Sequence, residues 1–156
     1  MRILYVEDDS VLANLVKTFL SRDEVLVTGK LSEAISYLNH ESFDFLIADL
    51  HLEDSDANTT LTLLDDFDVP KIIVTVDDDE RLMETALLMD HPPEDYILKG
   101  DHPGIHLIRK IKFNVDKVRN EHEKSRGGML SYFDSETLAH IKHSLTESLQ
   151  HKQLIM

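Results

Sequence analysis

A chain of 156 residues with 42% apolar content is long enough for one ordinary domain, its core and a small appendage. It has no cysteine, which excludes disulfides, thiolate catalysis and cysteine-type zinc sites. The net charge of −14 is uneven: residues 1–101 carry 24 Asp/Glu against 7 Lys/Arg, a net of −17, and residues 102–156 carry 6 against 9, a net of +3. An acidic body repels nucleic acid, while acids crowded into one site favour a hard cation.

Ile3 to Val6 read as a first strand that ends on Glu7-Asp8-Asp9. Ser10 is the expected N-cap of a helix carrying Val11, Leu12, Leu15, Val16, Phe19 and Leu20. Val25 to Val27 form a second strand, closed by Gly29, and Ser32 caps a helix with Ala34, Ile35 and Leu38 on one face. Phe45-Leu46-Ile47-Ala48 is a short continuous apolar run, the signature of a strand buried on both faces, and it stops on Asp49. An acidic loop, 50–58, leads to a third helix marked by Leu61, Leu64 and Phe67, which Pro70 stops. Ile72 to Val74 is the fourth strand, ending on Thr75. Acids 77–80 open a fourth helix lined by Leu82, Met83, Ala86, Leu87 and Met89, broken by Pro92-Pro93. Tyr96 to Leu98 is the fifth strand, ending on Lys99, and Pro103 opens a fifth helix with Leu107, Ile108, Ile111, Val115 and Val118.

Short strands alternating with helices, about every twenty residues, predict an α/β fold with a doubly wound, five-stranded parallel sheet. No nucleotide-binding Gly-rich loop or Walker pattern is present. MRILYVEDD lacks the apolar region of a signal peptide, and no apolar stretch nears the ~20 residues of a membrane span. The expectation is a soluble, cytoplasmic chain with neither membrane nor nucleic acid as partner.

In such a sheet the carboxyl ends of the strands share one crevice. Glu7 and Asp8, Asp49, Thr75 and Lys99 all sit at those ends. Three carboxylates gathered there repel one another and need a cation among them; oxygen ligands with open water positions suit Mg²⁺. A hydroxyl and an ammonium complete a site that can receive a phosphoryl group on a carboxylate.

The motifs ILYVEDD, FLIADLHL, PKIIVTV and DYILK, in this order and spacing, resemble the receiver domain of two-component response regulators. The resemblance covers residues 1–120 and implies a flavodoxin-like strand order of 2-1-3-4-5, an order known from a member of this family. It implies Asp49 as phosphoacceptor, Mg²⁺ on Asp8, Asp49 and the His51 backbone carbonyl, and Glu7 holding the metal mainly through water. It further implies Thr75 and Lys99 on the phosphoryl group and Tyr96 as the switch aromatic. Asp9, one place past the acid pair, reads as a loop residue.

The chain also departs from that pattern. Glu53 and Ala57 stand where the family has Pro and Gly, so a different loop course is expected. Val76 replaces a small residue and would crowd the site. Gly100 replaces a cis-proline, so a trans bond with Gly absorbing the altered backbone is expected. His51 and Asp77 flank the path of an attacking water and would set the lifetime of the phosphoryl group.

Residues 121–156 read as a linker with Gly127-Gly128 followed by an amphipathic helix whose stripe is Leu138, Ile141, Leu145 and Leu149. That stripe needs a cover: the receiver itself, a homodimer or a partner helix. A homodimer could equally use the face of the fourth helix, fifth strand and fifth helix. LAHIKHSLTESLQ resembles the phosphorylated-histidine helix of sensor kinases but lacks one residue, so His140 is expected to face solvent rather than relay phosphate. His140 and His143 lack a third ligand for a metal. The expected function is a phosphorylation-dependent signalling switch, not an enzyme, fed by a histidine kinase or phosphotransfer protein and acting through protein–protein contacts. The alternatives are a Mg²⁺-dependent phosphohydrolase with an aspartyl nucleophile and a phosphorylation-independent binding module. His51, where the hydrolase needs a second acid, weighs against the former.

Overall fold

A computed structural model describes residues 1–125 and 143. Five strands, β1 (Arg2–Val6), β2 (Glu24–Thr28), β3 (Phe45–Ala48), β4 (Lys71–Thr75) and β5 (Asp95–Leu98), form one parallel sheet in the order β2-β1-β3-β4-β5. The helices are α1 (Ser10–Phe19), α2 (Leu31–His40), α3 (Ala57–Leu64), α4 (Glu80–Leu87) and α5 (Ile105–Ser125), with a 3-10 turn at Lys99–Asp101. Met1–Arg119 form one compact unit.

Alternation along each strand divides the core in two. Ile3, Tyr5, Phe45, Ile47, Ile72, Val74 and Ile97 pack with α1 and α5. Leu4, Val6, Leu46, Ala48 and Ile73 pack with α2, α3 and α4. Burial on both faces explains the continuous apolar runs of residues 3–6, 45–48 and 72–74 in the central strands.

Several helix boundaries differ from the sequence expectation, and the physical reason is capping. Asp9, not Ser10, is the N-cap of α1; its carboxylate accepts from the Val11 and Leu12 amides at 3.0 and 3.2 Å. Ser32 does not cap α2. Asp54, from the loop after β3, reaches across to accept from the Leu31 and Ser32 amides at 2.7 and 3.0 Å. Asp56 and Asp79 cap α3 and α4, and α3 ends at Leu64, before Phe67. Pro103 does not open α5; the helix begins at Ile105 after Gly104, whose φ of 60° favours a residue without a Cβ. Val11, Leu15, Phe19 and Leu87, expected in buried stripes, are exposed. The C-terminal stripe, His140 and the glycine pair lie outside the described residues.

Candidate functional site

Register brings the acids together. Val6 pairs with Ala48, so the chains leave β1 and β3 side by side. The Asp49 amide donates to Val6 O at 2.9 Å and the Glu7 amide to Thr28 O at 2.8 Å. Gly29 presses against Asp8: a Cβ there would lie 3.3 Å from the Asp8 Cα. Thr60, buried in α3, donates its hydroxyl to Leu50 O at 3.2 Å and holds the chain just past Asp49.

Glu7, Asp8 and Asp49 each offer a carboxylate oxygen within 4.8 Å of the others. Glu7 and Asp49 are buried and Asp8 is exposed, so the cluster opens on one side. Lys99 bridges the two buried acids, with Nζ 2.7 Å from Glu7 Oε1 and 2.8 Å from Asp49 Oδ2. Burial pushes the Glu7 carboxyl up to about 7 against the opposing pull of Lys99, and the nearby Asp49 charge adds to the rise. Burial also works against the Lys99 ammonium, but its bonds to Asp49 and Glu7 outweigh that and hold its pKa above the ordinary value. One cation thus serves two buried carboxylates with a third beside them. The donor set consists of hard oxygens and fits Mg²⁺. Glu7, for which the resemblance implies mainly water-mediated contact with the metal, is buried against Lys99.

The remaining residues form a second layer. The His51 amide donates to Asp49 Oδ1 at 3.2 Å, and its ring Nε2 lies 2.7 Å from Asp77 Oδ2. The Asp79 amide, then His51, hold the Asp77 carboxyl below its usual value. The Asp77 amide donates to Thr75 Oγ1 at 3.3 Å, and the Tyr96 hydroxyl donates to Asp77 O at 3.1 Å. Burial pushes the Tyr96 phenol up to about 12. Thr75 is fully buried at the end of β4 and is tied to Tyr96 through Asp77 rather than to Asp49. Sequence reasoning singled out Asp77 only for water; its place between Thr75 and Tyr96 was not foreseen.

The departures turn out mild. Val76 is 65% exposed and does not crowd the site. No peptide bond among the described residues is cis, so the Lys99–Gly100 bond is trans. Gly100 sits in the 3-10 turn without a positive φ, and its conformational freedom is not used. The loop carrying Glu53 closes as a turn, with Leu52 bridged to Ser55, and aims Asp54 at α2.

A family model described as the response regulator receiver domain matches residues 3–112. The rice (Oryza sativa subsp. indica) two-component response regulator ORR24 is 29% identical over 132 residues, covering 81% of this chain and 20% of that protein. The Arabidopsis thaliana two-component response regulator ARR10 is 28% identical over 128 residues, covering 75% of this chain and 23% of that protein. The chain therefore spans about a fifth of the length of these relatives. Among solved structures, a receiver domain protein from Methanospirillum hungatei aligns with a TM-score of 0.61 and 25% identity, covering 77% of this chain and 97% of that one. The HemR receiver domain from Leptospira biflexa aligns with a TM-score of 0.59 and 27% identity, covering 75% and 92%. The matched stretch holds all five strands and every acid of the cluster, and the chain belongs to the response regulator receiver domain family, the phosphorylation-dependent switches of two-component signalling.

Proposed function

We propose that Asp49 is the phosphoacceptor of this chain. The observation that carries the reading is the Lys99 ammonium held between Glu7 and Asp49 at 2.7 and 2.8 Å, with Asp8 alongside. The donor is a phosphohistidine of a histidine kinase or phosphotransfer protein. An Asp49 oxygen attacks phosphorus, the N–P bond breaks, an acyl phosphate O–P bond forms, and the freed imidazole takes up a proton. Glu7, Asp8, Asp49 and the His51 main-chain carbonyl would hold Mg²⁺, which neutralises charge between carboxylate and phosphoryl oxygens.

Lys99 then exchanges its Asp49 contact for a phosphoryl oxygen, and Thr75 donates its hydroxyl to another. Because Asp77 joins Thr75 to Tyr96, a shift of Thr75 toward the phosphoryl group moves Tyr96 with it. The changed surface is that of α4, β5 and α5, where Leu87 and Phe113 are exposed, and it serves protein contacts including a homodimer. The chain is a signalling protein; hydrolysis of its own acyl phosphate resets it and is not turnover of a free substrate. No described helix is long and apolar enough to cross a membrane.

The test is incubation of the full chain with acetyl phosphate and Mg²⁺, read by intact mass. Gain of one hydroxylamine-labile phosphoryl group supports the reading. Continuous release of phosphate with no phosphoryl adduct accumulating points to a hydrolase, and neither adduct nor release points to a phosphorylation-independent module. Sedimentation with and without beryllofluoride tests the dimer.

A further inference from the structure

Away from the acidic site, α3 and α4 enclose a groove lined by Leu61, Thr62, Asp65, Thr85, Leu88 and Met89. Its volume of about 290 Å³ lies at the lower bound of small-molecule pockets, ~300 Å³, so it suits a side-chain anchor better than a whole cofactor. Leu88 is 84% exposed, the most exposed large apolar side chain among the described residues, with Leu87 beside it at 73%.

The electrostatics of this groove are predominantly negative, with the His91 ring, 3.8 Å from Asp65 Oδ1, the exception. Its lining comes from the C-terminal parts of both helices, where the backbone dipole is negative. Neither α3 nor α4 has a basic residue in its last turn, whereas α1 has Lys17, α2 has His40 and α5 has His122 and Lys124. Asp65 lies in the groove, its carboxylate fixed by the Asp90 and His91 amides at 3.1 and 2.8 Å. Exposed Asp66, Glu84 and Asp90 adjoin lining residues in sequence. From Leu31 to Glu80 the only Lys or Arg is Lys71, and its side chain is buried with the ammonium on the Phe67 and His91 carbonyls at 3.0 and 2.9 Å. Arg81 lies at the opposite end of α4, beside Asp79.

We propose that the α3–α4 groove docks a cationic amphipathic helix of a partner protein. One apolar side chain of that helix fills the groove against Leu88 and Met89. Its Lys and Arg residues face the two helix ends and the acids around them. A second copy of this chain, itself at net −14, is repelled from so acidic a face. None of the Asp49 site residues lines this groove, and it shares α4 with the surface proposed to change on phosphorylation.

The experiment uses the full chain and a fluorescent synthetic peptide of Leu and Lys at helical spacing, with a Leu/Glu peptide as charge-reversed control, read by anisotropy. The expected result is binding of the Leu/Lys peptide alone, weakened about tenfold by Leu88→Gln and by Glu84→Lys, and by added salt. Leu15→Gln, which trims an exposed apolar residue of α1, should leave it within about twofold. Leu88 and Glu84 are exposed, so neither change threatens folding. Equal loss in Leu15→Gln, no loss in Leu88→Gln, or equal binding of the Leu/Glu peptide would overturn the proposal. So would concentration-dependent dimerisation of the wild type that Leu88→Gln abolishes, because it assigns the groove to a second copy.

Discussion

Ionic clusters lie at both ends of the sheet. Near the amino ends of β1 and β2, Asp23 is enclosed by the Met1 amine at 2.9 Å and by the Arg119 guanidinium, and Arg119 also holds Asp116. Near the carboxyl ends of β1 and β3, Lys99 alone faces Glu7 and Asp49, with Asp8 close by. The first cluster sets three cations against its two acids, the Met1 amine, Arg119 and Lys112 at 3.1 Å from Asp116, and binds elements together. The second is short of positive charge and open at Asp8. The comparison teaches that burial of charge does not mark a function; a local shortage of positive charge with an open side does.

The largest expected effect tests that distinction directly. Asp49→Asn should abolish phosphoryl incorporation from acetyl phosphate, read by intact mass, while the far-ultraviolet spectrum stays native. Label that persists would move the acceptor elsewhere. Lys99→Ala removes the single cation from the open cluster and should cost about 3 kcal/mol in urea unfolding without metal. Mg²⁺ should return part of that loss by binding only the folded chain. Arg119→Ala strips the buried Asp23 of one of its two cations and should cost about 2 kcal/mol. Here Mg²⁺ should stabilise the variant only as much as the wild type, leaving the loss unchanged, and phosphorylation should be retained; a loss of labelling would show that the two ends are coupled.

The smallest effect concerns Glu7. Burial raises its folded pKa from 4.5 to about 7, so the folded chain holds the proton more tightly than the unfolded chain. That contribution is fully present below the unfolded value and is lost as pH rises through about 7. In chelator-treated buffer the urea midpoint should therefore fall across this window, and Glu7→Gln should flatten the fall. Added Mg²⁺ should offset it, since the ionised carboxylate is the form that holds a cation. A midpoint that rises with pH over the same window in the wild type would contradict the buried geometry of Glu7.

Much of this molecule was legible in the linear chain. The five strands, their parallel arrangement and the chemistry at their carboxyl ends follow from apolar runs that stop on Glu7, Asp49, Thr75 and Lys99. The N-cap of α1 was placed on Ser10 although Asp9, a loop residue before a helical stripe, is an equally common cap, so that signal was available. The exposure of Val11, Leu15 and Leu87 was not available, because periodicity assigns a face without saying how wide its cover is.

Composition and pattern alone determined the fold class, the residue types at the crevice and the acidity of the body. Hydrophobic period and strand length act within one segment and need no knowledge of neighbours. Only the tertiary structure decided that Lys99 pairs with Glu7 across 92 positions, that Asp54 caps α2 from another loop, and that Asp77 joins Thr75 to Tyr96. These contacts depend on strand register and loop path, and on which carboxylates burial strips of water; those are properties of the packed chain that no local window contains.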